Sequence, residues 1–162
     1  MADTNERWAA FKSGEEDAFS SLFFESYPRL YHYGLKLVQE EELVKDVIQD
    51  FYLYLYETRD KLADEVSNIN SYLLASFRRR LLQEISRRRK TQARQEEAFP
   101  NDQPFAISIE DIIIKKESQD QSKKKVVRLL NTLPPRQREI LYLKYYLNLS
   151  LPEIADTLSI SY

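Results

Sequence analysis

Asp46, Gln49 and Asp50 stand at i, i+3 and i+4 in a stretch with helical apolar spacing, so a helix would carry two carboxylates and an amide on one face. Such a set pairs with cations and accepts hydrogen bonds. Further on, Arg78 to Arg94 holds eight bases against a single acid, Glu84. Guanidinium groups bind phosphate oxygens and release counterions, which makes Arg79, Arg87 and Lys90 candidates for tracking a nucleic-acid backbone. Gln83 lies on the same side as Arg79 and Arg87, at i, i+4, i+8. Between the two stretches, Ala63 to Asn70 is a polar run able to cup an unstacked base, with Asn68 and Asn70 as contacts. Tyr72 beside it could supply stacking surface, as could Tyr52, Tyr54 and Tyr56, although aromatics at helical spacing usually belong to a core.

The chemistry these residues offer is recognition, not catalysis. The chain has no cysteine and one histidine, His32, which excludes a disulfide framework, a thiolate metal site and a Cys–His nucleophile pair. No nucleophile, base or phosphate cradle stands at recognisable spacing, so no enzymatic activity, cofactor or metal is expected. His32 and Trp8 have no partners in sequence that would make a site and are assigned to packing. Two glycines among 162 residues are too few for a dinucleotide-binding turn or a many-turned β-barrel. A 43% hydrophobic and 31% charged composition describes a folded chain. The start lacks the apolar core of a secretory signal, and no apolar run approaches the roughly 18 residues of a membrane span, so a cytoplasmic protein without membrane contact is expected.

Net charge is only −2, but its layout is uneven. Gln39 to Glu65 carries nine acids and three bases, directly before the basic run. Adjacent fields of opposite sign predict two partners, one basic and one a polyanion.

Helices must position these groups. Gly14 to Val38 has helical spacing interrupted by Pro28, which predicts a kink or two helical segments. Glu41 to Tyr56 repeats Leu43, Val47, Ile48, Phe51, Tyr52 and Leu55 at steps of three and four, the firmest helix in the chain. Asp60 to Asn70 reads as a loop ending in a helix cap at Asn70 or Ser71. The next helix, about Ser71 to Lys90, buries Leu74, Phe77, Leu81 and Ile85 and turns its cationic face outward.

Thr91 to Asp111 loses this period and contains Pro100 and Pro104, so it is taken as a linker between a unit 1–90 and a unit 112–162. The second unit begins near Ile112 with a helix, is punctuated by Pro134 and Pro135, and restarts at Arg136. Ser150-Leu151-Pro152-Glu153 fits a capping box that opens a short helix. Ser159 to Ser161 then forms a turn, with Ile154, Ala155, Leu158 and Ile160 directed inward and Ser161 placed to cap a following helix. Helix, turn, helix is the layout of a DNA reader.

On these residues the chain resembles bacterial RNA polymerase sigma factors of the extracytoplasmic-function type. The likeness covers nearly the whole chain. Asp46, Gln49 and Tyr52 match the family pattern D-x-x-Q-x-x-F, followed by Tyr72-Leu73 for Trp-Leu and by Arg87-Arg88-Arg89. In the second unit Leu133-Pro134, Arg136-Gln137-Arg138, Glu153-Ile154-Ala155 and Leu158-Ser159-Ile160-Ser161 match as well, with Ser159 replacing the turn glycine. Arg79 and Gln83 replace a common Asn and Asp. The resemblance implies an all-α fold of two small helical domains. It implies binding of core polymerase through Asp46, Gln49 and Asp50, and promoter recognition near the −10 element through residues 60 to 90. The −35 element would fall to the second unit, with Ser161 at the start of its recognition helix, and an anti-sigma protein is a partner such factors often have. Because the sequence stops at Tyr162, one residue past that cap, the recognition helix is expected to be missing. A helix-turn-helix regulator acting without polymerase is the alternative.

Overall fold

The computed structural model describes residues 3–93, 105–111 and 120–161, and the regular structure among them is helical. The chain divides into two compact units, Met1–Ala98 and Phe99–Tyr162.

In the N-terminal unit four helices follow one another: α1 (Thr4–Ser13), α2 (Glu16–Leu37), α3 (Glu41–Glu57) and α4 (Ile69–Ala93), with a 3₁₀ turn at Arg59–Lys61 between the last two. The apolar repeat of α3 is buried as its spacing requires, from Leu43 through Leu55, and so are Leu74, Phe77, Leu81 and Ile85 of α4. The helix α1 was not among the expected elements. It is opened by Glu6, which accepts from the Asp3 backbone N–H at 3.2 Å, and closed by Gly14 at φ +89, a left-handed position that favours glycine.

Pro28 does not divide the chain, because α2 runs through it. An interior proline removes one backbone donor at a cost of about 3 kcal/mol or more, but Leu22 before it and Leu30 and Tyr33 after it are all buried and hold both halves on one core. His32 also departs from expectation: it is exposed, its ring edge-on to Tyr31 at 5.7 Å.

The described helices of the C-terminal unit are α5 (Asp120–Leu130), then α6 (Pro135–Leu141) continuing into a π turn at Tyr142–Tyr146, and α7 (Leu151–Leu158). The expected helix start near Ile112 lies outside the described residues. Residues 105–111, expected within the linker, pack in this unit. Phe105 and Ile107 are buried, Phe105 edge-on to Tyr142 at 5.4 Å. The Asn131 side-chain amide clasps Ile107, accepting its N–H at 3.0 Å and donating to its carbonyl at 2.9 Å.

The capping box of α7 forms as its sequence requires: Glu153 accepts from the Ser150 N–H at 2.7 Å, and Ser150 Oγ accepts from the Glu153 N–H at 3.4 Å. After Leu158 the chain turns through Ser159 at φ +53, with the Ile160 N–H bonded to the Ala155 carbonyl at 3.0 Å. Ile154, Ala155 and Leu158 are buried, but Ile160 is 43% exposed and so does not point inward as expected. Ser161 is exposed and caps no described helix.

Tyr52, standing where the family pattern has Phe, brings a hydroxyl into the core at 3% exposure. Ser26 of α2 meets it. Ser26 Oγ has one proton, which it donates to the Leu22 carbonyl, so the Tyr52 hydroxyl donates to Ser26. Burial pushes the Tyr52 hydroxyl up to about 12, keeping it a neutral donor. Ser26→Ala should therefore cost about 1–3 kcal/mol in denaturant unfolding, by stranding a buried donor, and adding Tyr52→Phe should recover most of that loss. Strictly additive effects would show that the two hydroxyls do not cooperate.

Candidate polymerase and nucleic-acid interface

Asp46, Gln49 and Asp50 are exposed on α3, on the face opposite its buried stripe. They do not stand alone. They line one wall of a groove of about 630 Å³, whose other wall is Arg80, Gln83, Glu84, Arg87 and Arg88 of α4, with Leu43 and Val47 also lining it. The acidic stripe and part of the cationic face are thus two sides of one feature. Arg79 and Lys90 are exposed on α4 but are not among the groove residues. Arg78, part of the basic run, is only 8% exposed and does not belong to the outward face.

Several residues that sequence reasoning passed over shape this groove. Glu84 accepts from Arg87 Nε at 2.9 Å and Nη2 at 2.6 Å, and from Arg88 Nε at 3.0 Å. Arg88 also reaches Glu40 at 3.2 Å. A lone acid three and four residues before two arginines is the signal that could have revealed this. Arg80 lies over the Tyr54 ring at 3.9 Å, joining α4 to α3 by a cation–π contact. Leu53 extends the Asp46–Asp50 face by one turn and is 55% exposed, offering apolar area beside the carboxylates.

The loop before α4 resolves differently from expectation at its end. Asn68, not Asn70 or Ser71, takes the capping place: its Oδ1 accepts from the Ser71 N–H at 3.2 Å. That leaves Asn70 exposed on the first turn. Tyr72 is half-buried, edge-on to Trp8 at 5.1 Å, and burial raises its hydroxyl above the ordinary tyrosine value. Of the other tyrosines, Tyr52 is core, whereas Tyr54 and Tyr56 are 41% and 45% exposed. Trp8 is fully buried, as assigned. Among the described residues there is no group of His, Asp and Glu that could hold a metal ion and no helix long and apolar enough to cross a membrane.

Comparison with known proteins accounts for both units. The family model for sigma-70 region 2 matches residues 22–91 and that for sigma-70 region 4 matches residues 123–162. The chain is also 22% identical over 147 residues to the ECF RNA polymerase sigma factor SigK of Mycolicibacterium vanbaalenii, covering 90% of this chain and 72% of that protein. The chain belongs to the sigma-70 family, in its extracytoplasmic-function branch. The sigma region 2 match spans α2 to α4 and so contains both walls of the groove, together with Asn68, Asn70 and Tyr72. A polymerase-independent helix-turn-helix regulator would account for region 4 alone and is not favoured. The sigma factor's α1 precedes the region 2 match.

The Glu84 cluster has a measurable signature. Hydrogen bonding to Arg87, and secondarily to Arg88, lowers the Glu84 carboxyl from 4.5 to about 2. Because the folded value is depressed, the stabilisation is full above the unfolded value and is lost as pH falls toward 2. In an NMR titration Arg87→Ala should move the Glu84 midpoint upward yet leave it below 4.5, since Arg88 remains. An unmoved midpoint would show that Arg87 does not hold this carboxylate in solution.

Proposed function

We propose that this sigma factor docks on core RNA polymerase through the α3 face formed by Asp46, Gln49 and Asp50. It binds core polymerase and directs promoter recognition and transcription initiation, as its two sigma-70 regions imply. The observation that carries the assignment of faces is the groove, where exposed carboxylates on α3 stand across from arginines on α4. A basic partner segment seated there would meet Asp46 and Asp50 first, with Leu53 adding apolar contact.

In the same reading Arg79, Arg87 and Lys90 follow promoter phosphates, with Gln83 beside them, and Asn68, Asn70 and Tyr72 face the opened −10 strand. Arg79 and Lys90 are exposed outside the groove, whereas Arg87 must exchange Glu84 for a phosphate. Asn68 contributes through its cap and its placement, since its Oδ1 already accepts from Ser71. The region 4 unit serves the −35 element, with Ser161 at the mouth of its turn. An anti-sigma protein is proposed as a third partner, and the cytoplasm as the compartment in which these meet.

Two substitutions test the faces. Asp46→Lys, an exposed change expected to alter stability by less than about 0.5 kcal/mol, should weaken binding to core polymerase. Unchanged core affinity at moderate salt would remove this face from consideration. Arg79→Ala should lower affinity for promoter DNAs of different sequence about equally and reduce the salt slope by about one unit. A loss confined to one sequence would instead make Arg79 a base reader.

A further inference from the structure

The loop between α3 and α4 is shaped from outside itself. Three side-chain bonds reach it from α1, the helix that precedes the region 2 match. Lys12 Nζ donates to the Leu62 carbonyl at 2.8 Å and pairs with Asp64 at 2.6 Å, and Trp8 Nε1 donates to the Ala63 carbonyl at 2.8 Å. Trp8 and Lys12 are i and i+4, so one face of α1 bonds three consecutive loop residues. The two donors are rigidly based: Trp8 is fully buried and the Lys12 side chain is 13% exposed, while Asp64 at the far end of the pair is 98% exposed. Lys12 holds the Asp64 carboxyl below its ordinary value. Where α1 ends, Arg59 Nε stands 3.2 Å from the place a Gly14 Cβ would occupy, and it donates through Nη1 to the Tyr56 carbonyl at 2.6 Å. Val66 and Ile69 bury the loop's far end, leaving Glu65, Ser67 and Asn70 exposed.

We propose that Lys12, with Trp8, is a positioning residue for promoter recognition: α1 fixes the backbone of residues 62–64 so that the loop is already in its reading shape when the opened strand arrives. The inference rests on the reading of this loop as the −10 contact. Its physical content is preorganisation. Carbonyls held by an ammonium and an indole N–H need not be ordered at the moment of binding, so less interaction energy is lost to ordering and more remains to separate one base from another. Two of the three loop acceptors are backbone carbonyls, so α1 holds the shape of residues 62 and 63 whatever side chains they carry.

The test uses the full chain bound to core polymerase, challenged with DNA bubbles whose single-stranded −10 segment is randomised, and reads the enrichment of preferred over average sequences. Lys12→Met keeps most of the stem and removes both bonds. It should cut the preference by about five- to tenfold while leaving the salt slope unchanged, because no phosphate contact is lost. Lys12→Arg, which restores a cation with several donors, should recover most of the preference. Trp8→Phe, which keeps an aromatic ring but loses the N–H donor together with part of the buried ring system, should lower the preference in the same direction and stands in if Lys12→Met fails to fold. A preference retained in both Lys12→Met and Trp8→Phe overturns the proposal alone. Equal loss on all sequences with a salt slope lower by about one makes Lys12 a phosphate contact and also overturns it. A wild-type complex with no preference at all overturns the reading of the loop, and this proposal with it.

Discussion

The N-terminal unit depends on one close approach. At Gly34 of α2 a methyl group would stand 2.8 Å from Val44 Cγ1 of α3 and 3.2 Å from Phe77 Cζ of α4, so hydrogen is the only substituent that fits without displacing a neighbour. Three helices therefore converge on a single residue that has no side chain. Their separation sets where α3 and α4 stand beside each other, and hence the width of the groove that carries the carboxylates on one wall and the arginines on the other. The spacing of the groove's two walls is fixed from beneath.

What occupies that groove already is an internal balance of charge. Glu84 answers two arginines, and Glu40 reaches one of them from the chain before α3. The opposite fields visible along the sequence are thus partly joined in space. Such exposed pairs contribute little to stability individually, because solvent screens them. Their weight lies in orientation, since a guanidinium held by a carboxylate presents a defined edge to whatever arrives.

The elements carrying strict periodicity were legible. Leu43 to Leu55 and Leu74 to Ile85 repeat at helical spacing because each must face one core, and the Ser150–Glu153 box announces α7 by a local hydrogen-bond pattern needing no tertiary context. What stayed hidden was settled by contacts between distant residues. Pro28 reads as a break until the burial of Leu22, Leu30 and Tyr33 on both sides of it is known. Residues 105–111 have no period because one amide, Asn131, and one aromatic neighbour hold them. At the candidate interface, sequence placed Asp46, Gln49 and Asp50 on an exposed face. It could not show that Gln83 and Arg87 stand across a groove from them, or that Asn68 would be drawn into capping. Spacing defines one helix's faces, whereas the pairing of faces from two helices is a property of the packed unit.

The arginines that open α6 have a consequence for how the C-terminal unit is approached. Arg136 donates to the Leu158 carbonyl at the end of α7 at 3.0 Å, and Arg138 donates to the Asn131 carbonyl at 2.9 Å, so both act as internal caps on backbone oxygens. On α7 itself the charged residues are Glu153 and Asp156. Exposed basic side chains lie on α5, at Lys124, Lys125 and Arg128, and Arg136 of α6 is exposed as well. A polyanion diffusing toward this unit would therefore meet positive charge on α5 and at Arg136, and negative charge on α7.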